Sequence, residues 1–220
     1  MNSVDFTFRD DTLTAMASGA LWWQSQSLLC VSDLHMGKSE RIARRSGTQL
    51  PPYETRDTLA RLTDDLEYTR ARTVICLGDS FDDPGASLAL RDEDRMTIAR
   101  LQSGRQWIWI EGNHDPGPVD MGGTHQAELS LRPLTFRHIA IPGSQNEISG
   151  HYHPKARIEA RGRSISRPAF LVDAKRVIMP AYGTYTGGLE TTAPVLTGLM
   201  RKDAHAILTG KTVLTIPMPR

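Results

Sequence analysis

The chain has 220 residues, with 26 Lys and Arg against 25 Asp and Glu, and a formal net charge of +1. That length suffices for one substantial core, and a single domain over residues 1–220 is expected. The balanced charge excludes a globally basic nucleic-acid binder, so any basic surface has to be local.

No apolar run approaches the ~18 residues that a membrane span needs, and no apolar segment follows a basic start. The expectation is a cytoplasmic protein with no membrane attachment. Its two cysteines, Cys30 and Cys76, lie in the apolar runs Leu28-Leu29-Cys30-Val31 and Val74-Ile75-Cys76-Leu77. They read as core thiols on strands rather than as a disulfide or a metal pair.

In chain order, Val4 to Phe8 alternates, and Leu13 to Trp23 follows with a break at Ser18-Gly19; the pair suggests short strands or a hairpin near a sheet edge. Trp22-Trp23 reads as packing rather than as a base-stacking platform, because it sits in strand-like sequence. Ser27 to Val31 is a buried-strand run, and its exit, Ser32-Asp33-Leu34-His35-Met36-Gly37-Lys38, is loaded with metal-competent side chains. Lys38, Arg41, Arg44 and Arg45 then stand against Glu40. Such a cluster is either solvated surface or a phosphate contact, and both readings stay open.

Pro51-Pro52 precedes a helix from about Tyr53 to Arg70, with Leu59, Leu62 and Leu66 at core spacing. Thr73 to Leu77 is the next buried strand, and it exits through Gly78-Asp79-Ser80-Phe81-Asp82-Asp83-Pro84-Gly85. A helix over Ala86 to Gln102 leads into the strand Gln106 to Ile110, which exits through Gly112-Asn113-His114-Asp115. Strand, helix, strand, helix, strand is the signature of a parallel sheet with crossover helices. After the Pro/Gly-rich loop Pro116 to Gly123, short strands are expected at Leu134–His138, Glu147–Ser149, Ala169–Asp173, Arg176–Met179, and Ala206–Leu208 with Thr212–Ile216. The last two are joined by a Thr209-Gly210-Lys211 turn. A second, largely antiparallel sheet would hold them.

The chemistry sits at the strand exits: Asp33-x-His35, Gly78-Asp79, Gly112-Asn113-His114-Asp115 and Gly150-His151-Tyr152-His153. Five of the seven histidines fall in these motifs or at His138, a coincidence that packing alone would not produce. Three of the motifs place Gly directly before a candidate ligand, which permits a sharp turn and close approach. Carboxylate, imidazole and amide oxygen without thiolate suit Mn²⁺, Fe²⁺ or Zn²⁺. Six or seven donors exceed what one tetrahedral ion needs and suit a pair of ions sharing one carboxylate, an arrangement that clamps a phosphoryl group and acidifies water.

In that order, Asp33-x-His35, Gly78-Asp79-x-x-Asp82, Gly112-Asn113-His114-Asp115 and Gly150-His151-x-His153 resemble the signature of the calcineurin-like metallophosphoesterases. The resemblance implies an α/β fold, a four-layer α/β/β/α sandwich of two mixed sheets flanked by helices. It also implies a site for two divalent ions, Mn²⁺ first, with Zn²⁺, Fe²⁺ or Mg²⁺ as alternatives. Asp33, His35 and His153 would hold one ion and Asn113, His138 and His151 the other, with Asp79 bridging. His114 would serve as acid or charge stabiliser, oriented by Asp115. His125 competes with His138 as the remaining ligand, and His138 is preferred because His125 lies in a Gly-rich loop.

A closer resemblance, to the ligase-associated bacterial phosphoesterases of the PdeM group, rests on further stretches. These are His35-Met36-Gly37-Lys38, Leu50-Pro51-Pro52-Tyr53-Glu54-Thr55, Leu77-Gly78-Asp79-Ser80-Phe81, Trp107-Ile108-Trp109-Ile110 and Pro180 to Leu189. It implies a DNA-repair endonuclease associated with a DNA ligase, a helicase and an exonuclease-like protein. That group tends to carry His where this chain has Asp82, which leaves the role of Asp82 open. Pro180 to Leu189 reads as a tight Gly-rich turn beside the site rather than as a substrate contact.

The leading expectation is therefore a dinuclear-metal phosphodiesterase acting on DNA, with Lys38 and Arg41 holding phosphate. The near-neutral charge favours a second reading, a small-molecule phosphoesterase acting on cyclic nucleotides or phosphomonoesters. A non-catalytic scaffold is a third, and the retained histidines argue against it.

Overall fold

A computed structural model describes residues 2–39, 41–42, 53–117, 120–160 and 162–220. Arg44, Arg45 and Leu50-Pro51-Pro52 lie outside the described residues.

Buried apolar runs form the centre of the first sheet. Strands β1 (Ser3–Phe8), β2 (Asp11–Met16), β3 (Leu21–Trp23), β4 (Leu28–Val31), β5 (Thr73–Leu77), β6 (Gln106–Ile110) and β7 (Thr124–Gln126) lie side by side in chain order. The pairs are antiparallel up to β4 and parallel from β4 to β7. Helix α1 (Glu54–Thr69) is the β4–β5 crossover, and its Leu59, Leu62 and Leu66 are buried as their spacing predicts. Burying each contributes about 1.5–3 kcal/mol. The helix stops at Arg70, in the left-handed region at φ 53°, with its N–H on the Leu66 carbonyl.

The expected helix over Ala86 to Gln102 is two helices, α2 (Pro84–Ala89) and α3 (Asp92–Gln102). Leu90 and Arg91 between them are extended, with ψ of 139° and 149°. Each helix has its own start signal. Asp83 caps α2 by accepting from the Ala86 N–H at 2.7 Å, and Asp92, Glu93 and Asp94 fill the first turn of α3.

The second sheet has the order β15-β14-β12-β13-β10-β9-β8, with β11 paired to β12. Its strands are β8 (Glu128–Leu131), β9 (Leu134–Arg137), β10 (Glu147–Ser149), β11 (Lys155–Ala160), β12 (Arg163–Val172), β13 (Arg176–Ile178), β14 (His205–Leu208) and β15 (Leu214–Pro217). It is mixed, since β9, β10 and β13 run parallel. Three strands were not expected: β7, β8 and β11, the last of which pairs with an unexpectedly early start of β12 at Arg163.

The sheets face each other across Phe8, Leu13, Ile75, Leu77, Ile108 and Ile110 on one side and Phe136, Ile148, Phe170, Val177 and Ile207 on the other. Helices α1 and α3 cover the outer face of the first sheet, where Val74, Cys76, Trp107 and Trp109 pack. Helix α4 (Pro194–Leu199) covers the second, packing Leu196 on Ala169, Leu171 and Leu208. The result is the α/β/β/α sandwich. Both thiols are buried and free, Cys30 between the sheets and Cys76 under the helices. Trp23 is core, with its indole N–H on Asp11 at 3.1 Å. No helix among the described residues is long and apolar enough to cross a membrane.

Candidate metal centre

The exits of β4 and β5 run alongside each other. Asp33 N–H donates to the Gly78 carbonyl, His35 N–H to Asp79, Met36 N–H to Ser80, and Asp82 N–H back to Met36. This ladder brings Asp33 and His35 beside Asp79 and Asp82. From the second sheet, Gly150 N–H donates to the His138 carbonyl at 2.9 Å, which sets His138 next to His151 and His153. Asp33, His35, Asp79, His151 and His153 all have positive φ, between 45° and 71°. Non-glycine residues there cost about 1 kcal/mol or more each, a strain that the surrounding contacts hold in place.

The glycines serve close approach among protein groups. A Cβ on Gly112 would lie 2.1 Å from the Asp79 amide nitrogen, one on Gly150 1.9 Å from Ser32 Oγ, and one on Gly78 2.2 Å from the His138 ring.

Two donor groups result: Asp33 with His35 and His153, and Asp79 with His138 and His151. In the first, His153 Nε2 is 3.1 Å from Asp33 Oδ1 and 3.3 Å from His35 Nε2. In the second, His138 Nε2 is 3.0 Å from Asn113 Oδ1, 3.3 Å from Asp79 Oδ2 and 3.3 Å from His151 Nδ1. Asp79 Oδ2 also lies 3.9 Å from His35 Nε2, so one oxygen faces both groups. Its other oxygen accepts the His114 N–H at 2.8 Å.

Tautomers supply a test of fit. His138 Nδ1 donates to the Leu77 carbonyl at 3.1 Å, and His35 Nδ1 to Asp82 Oδ1 at 3.0 Å. Each Nε2 then presents a lone pair to other electron-pair donors: the Asn113 oxygen and Asp79 for His138, the His153 ring for His35. Such groups are satisfied by cations, and oxygen with imidazole suits divalent ions. These residues fit two of them.

Protons compete for the same positions. Burial lowers the pKa of His138, but its hydrogen bond to Asp79 and the charges of Asp33 and Asp79 raise it overall. In the protonated form Nε2 donates to Asp79, where the neutral form offers a lone pair. Burial pushes the Asp79 carboxyl up, but the hydrogen bond and charge of His138, the His114 amide and the charge of His35 outweigh it and hold its pKa at about 2. Asp33 is likewise held below the usual range against burial, by His153, His138 and Ser32, whose hydroxyl donates to Asp33 Oδ2 at 2.5 Å. Burial and the neighbouring His138 lower His151, which favours its neutral, ligating form.

The third candidate group, His35, Asp82 and His114, is occupied internally. Asp82 Oδ1 takes His35, and Asp82 Oδ2 pairs with Arg41 Nε. His114 Nδ1 donates to the Asp82 backbone carbonyl at 2.9 Å, with its ring edge-on to His35 at 5.2 Å. His114 is thus beside both donor groups and outside them.

The expectation that Asp115 orients His114 is corrected. Asp115 Oδ2 accepts the Ser80 and Phe81 amides at 2.8 and 3.1 Å, and Oδ1 the Gly112 amide at 3.1 Å. The turn after Gly112 points its carboxylate back between the β5 and β6 exits, away from the neighbouring imidazole. Burial first, then repulsion from Asp79, raises its pKa to about 6. The group that orients His114 is the Asp82 carbonyl, which side-chain chemistry could not have revealed. Ser32 was also passed over, although its place directly before Asp33 was a usable signal.

Of the remaining candidates, Lys38 is half-buried and Arg41 is committed through Nε to Asp82. His125 stacks on Trp109 at 6.2 Å, on β7. The Pro180–Leu189 loop wraps the site: Tyr182 N–H donates to Ser32, Gly183 N–H to Asp33, and a Cβ on Gly188 would lie 2.1 Å from the His153 carbonyl.

A family model described as calcineurin-like phosphoesterase matches residues 27–176. The crystal structure of Pseudomonas putida nuclease MPE is similar at a TM-score of 0.74 and 26% identity, covering 98% of this chain and 100% of that one. The phosphoesterase YfcE from E. coli has a TM-score of 0.42 and 14% identity, over 87% of this chain and 99% of that one. No curated protein matches the chain in sequence.

Proposed function

The chain belongs to the calcineurin-like phosphoesterase family of metal-dependent phosphoric-ester hydrolases, and from that premise we propose that it cleaves phosphodiester bonds in nucleic acid, DNA in particular. The observation that carries the reading is the single Asp79 oxygen facing both donor groups, 3.3 Å from His138 and 3.9 Å from His35. A whole-length likeness to a nuclease supports nucleic acid as the substrate.

Asp33, His35 and His153 would hold one divalent ion, and Asn113, His138 and His151 the other, with Asp79 shared. Bound there, such ions supply charge neutralisation at the phosphoryl oxygens and acidify water; Mn²⁺ is the proposed metal. The chain's own contribution is positional. His114, with its Nδ1 proton fixed on the Asp82 carbonyl, has Nε2 free to pass a proton to the leaving oxygen. Arg41 keeps donors beyond the Nε it gives to Asp82, and with Lys38 it would hold a non-bridging phosphate oxygen. Action in DNA repair, with a ligase, a helicase and an exonuclease-like protein as associates, belongs to the same proposal.

The net charge of +1 favours the rival reading, a small-molecule phosphoesterase. One panel separates them: phosphomonoesters, cyclic nucleotides, a small aryl diester, and single-stranded and duplex DNA, each with Mn²⁺, Zn²⁺ and Mg²⁺. The proposal expects Mn²⁺-dependent DNA cleavage that weakens steeply with salt. Turnover of small esters with DNA left intact would overturn it.

A further inference from the structure

A chain of net charge +1 must concentrate positive charge if it is to hold a polyanion. Residues 155–167 do so. Lys155, Arg157, Arg161, Arg163 and Arg167 stand against Glu159 alone, a net +4 that leaves −3 for the rest of the chain. The segment's described residues, 155–160 and 162–167, lie in the β11–β12 hairpin, antiparallel from Lys155 opposite Pro168 to Ala160 opposite Arg163; Arg161 is outside the described residues.

The hairpin starts at the metal centre. Lys155 comes two residues after His153, whose Nε2 is 3.1 Å from Asp33. Its amide donates to the Leu189 carbonyl at 2.8 Å, and its Cε lies 3.0 Å from where a Gly188 Cβ would stand, so its side chain follows the loop that wraps the site. Packing holds the base, where Ala156 is fully buried against the cluster under α4. Further out, Arg157, Glu159, Ser164, Ile165 and Ser166 are exposed.

Strand alternation and register put Arg167 on one face and Lys155, Arg157, Glu159, Ser164 and Ser166 on the other, where the two cations lie closer along the strand to His153 than Glu159 does. There Arg157 meets Glu190 at 3.5 Å, with both side chains open to water. A surface pair of that kind is worth ~1 kcal/mol or less and exchanges readily for phosphate. Strand pairing and Ala156 already secure the hairpin, so its folding does not call for the positive charge.

We propose that the β11–β12 hairpin is an arm that carries the sugar-phosphate backbone of a nucleic-acid strand away from the scissile bond, with Lys155 and Arg157 on phosphates. This rests on the nucleic-acid reading above. The test compares wild type with the Lys155→Gln/Arg157→Gln double variant, with Mn²⁺, on a single-stranded oligonucleotide across salt concentrations. Losing two single-strand phosphate contacts reduces the slope of log K against log salt by about 1.4, with KM raised about tenfold and kcat largely kept. If the double variant lacks a cooperative thermal transition, the exposed Arg157→Gln change alone carries the test, with a slope change of about 0.7. Wild type that hydrolyses a small diester but not oligonucleotides overturns the nucleic-acid reading and the arm with it. Wild type that cleaves oligonucleotides, beside a folded variant with unchanged KM and salt slope, overturns the arm alone.

Discussion

Asp82 accepts the Nδ1 proton of His35 across 3.0 Å, joining residues 47 positions apart on two strand exits. The bond fixes the tautomer that leaves His35 Nε2 facing His153, and Arg41 closes the other side of the carboxylate. Groups that orient a metal ligand typically contribute 10- to 100-fold to metal affinity or activity. Asp82→Asn should therefore raise the Mn²⁺ concentration for half-maximal diesterase activity by at least about tenfold. It should also shrink the stabilisation that saturating Mn²⁺ gives the wild-type protein, an effect of about 2.7 kcal/mol at a hundred times Kd. Activity titrations with Mn²⁺ check the first, and thermal melts with and without the ion check the second.

His114 touches the Asp82 carbonyl through Nδ1 and donates its backbone N–H to Asp79, while its ring lies outside both donor groups. His114→Ala keeps that backbone bond and removes only the imidazole. kcat should fall about 10²- to 10⁴-fold, while calorimetry still finds two Mn²⁺ per chain. Loss of one ion in the variant would make His114 a ligand instead.

The parts of this arrangement legible in the sequence are those encoded by short-range pattern. Leu28–Val31, Thr73–Leu77 and Gln106–Ile110 are apolar runs with few alternatives to a buried strand, and in a parallel sheet their polar exits all emerge at one end. The hairpin β11–β12 hid because Arg157, Glu159, Ser164 and Ser166 face water and leave little apolar signal. The break at Leu90-Arg91 hid because apolar spacing continues across it, whereas the acidic first turn of α3 is the mark that a second helix begins. Asp115 misled by adjacency: its neighbour in sequence is His114, but the turn after Gly112 gives it the amides of β5's exit.

Gly112 admits no side chain, because a Cβ there would fall 2.1 Å from the backbone nitrogen of Asp79 and 2.2 Å from Asp79 Oδ1. Backbone cannot yield as a rotamer can. Gly112→Ala should cost about 1–3 kcal/mol in urea unfolding and displace Asp79, weakening Mn²⁺ binding as well. Gly187 serves as control, since nothing lies within 4 Å of its would-be Cβ. Gly187→Ala should leave both quantities close to wild type.

Away from the metal centre, Asp65 on α1 is buried and accepts the Tyr182 hydroxyl at 2.8 Å, tying the site-wrapping loop to the helix. Burial raises its pKa; bonds from Ser18 and Tyr182 and the charge of Arg61 offset this only in part, and nearby Asp64 adds to it. A carboxyl raised in the folded state favours folding while protonated, below its unfolded pKa of about 3.9, and that contribution is lost as pH rises through the folded value. At neutral pH the wild type therefore bears the cost of a buried charge. Asp65→Asn keeps an oxygen for Tyr182 and never ionises. Its melting temperature should exceed that of wild type at pH 8, with the gap closing as pH falls towards 4. A variant equally destabilised at both pH values would show that the Tyr182 contact requires the carboxylate itself.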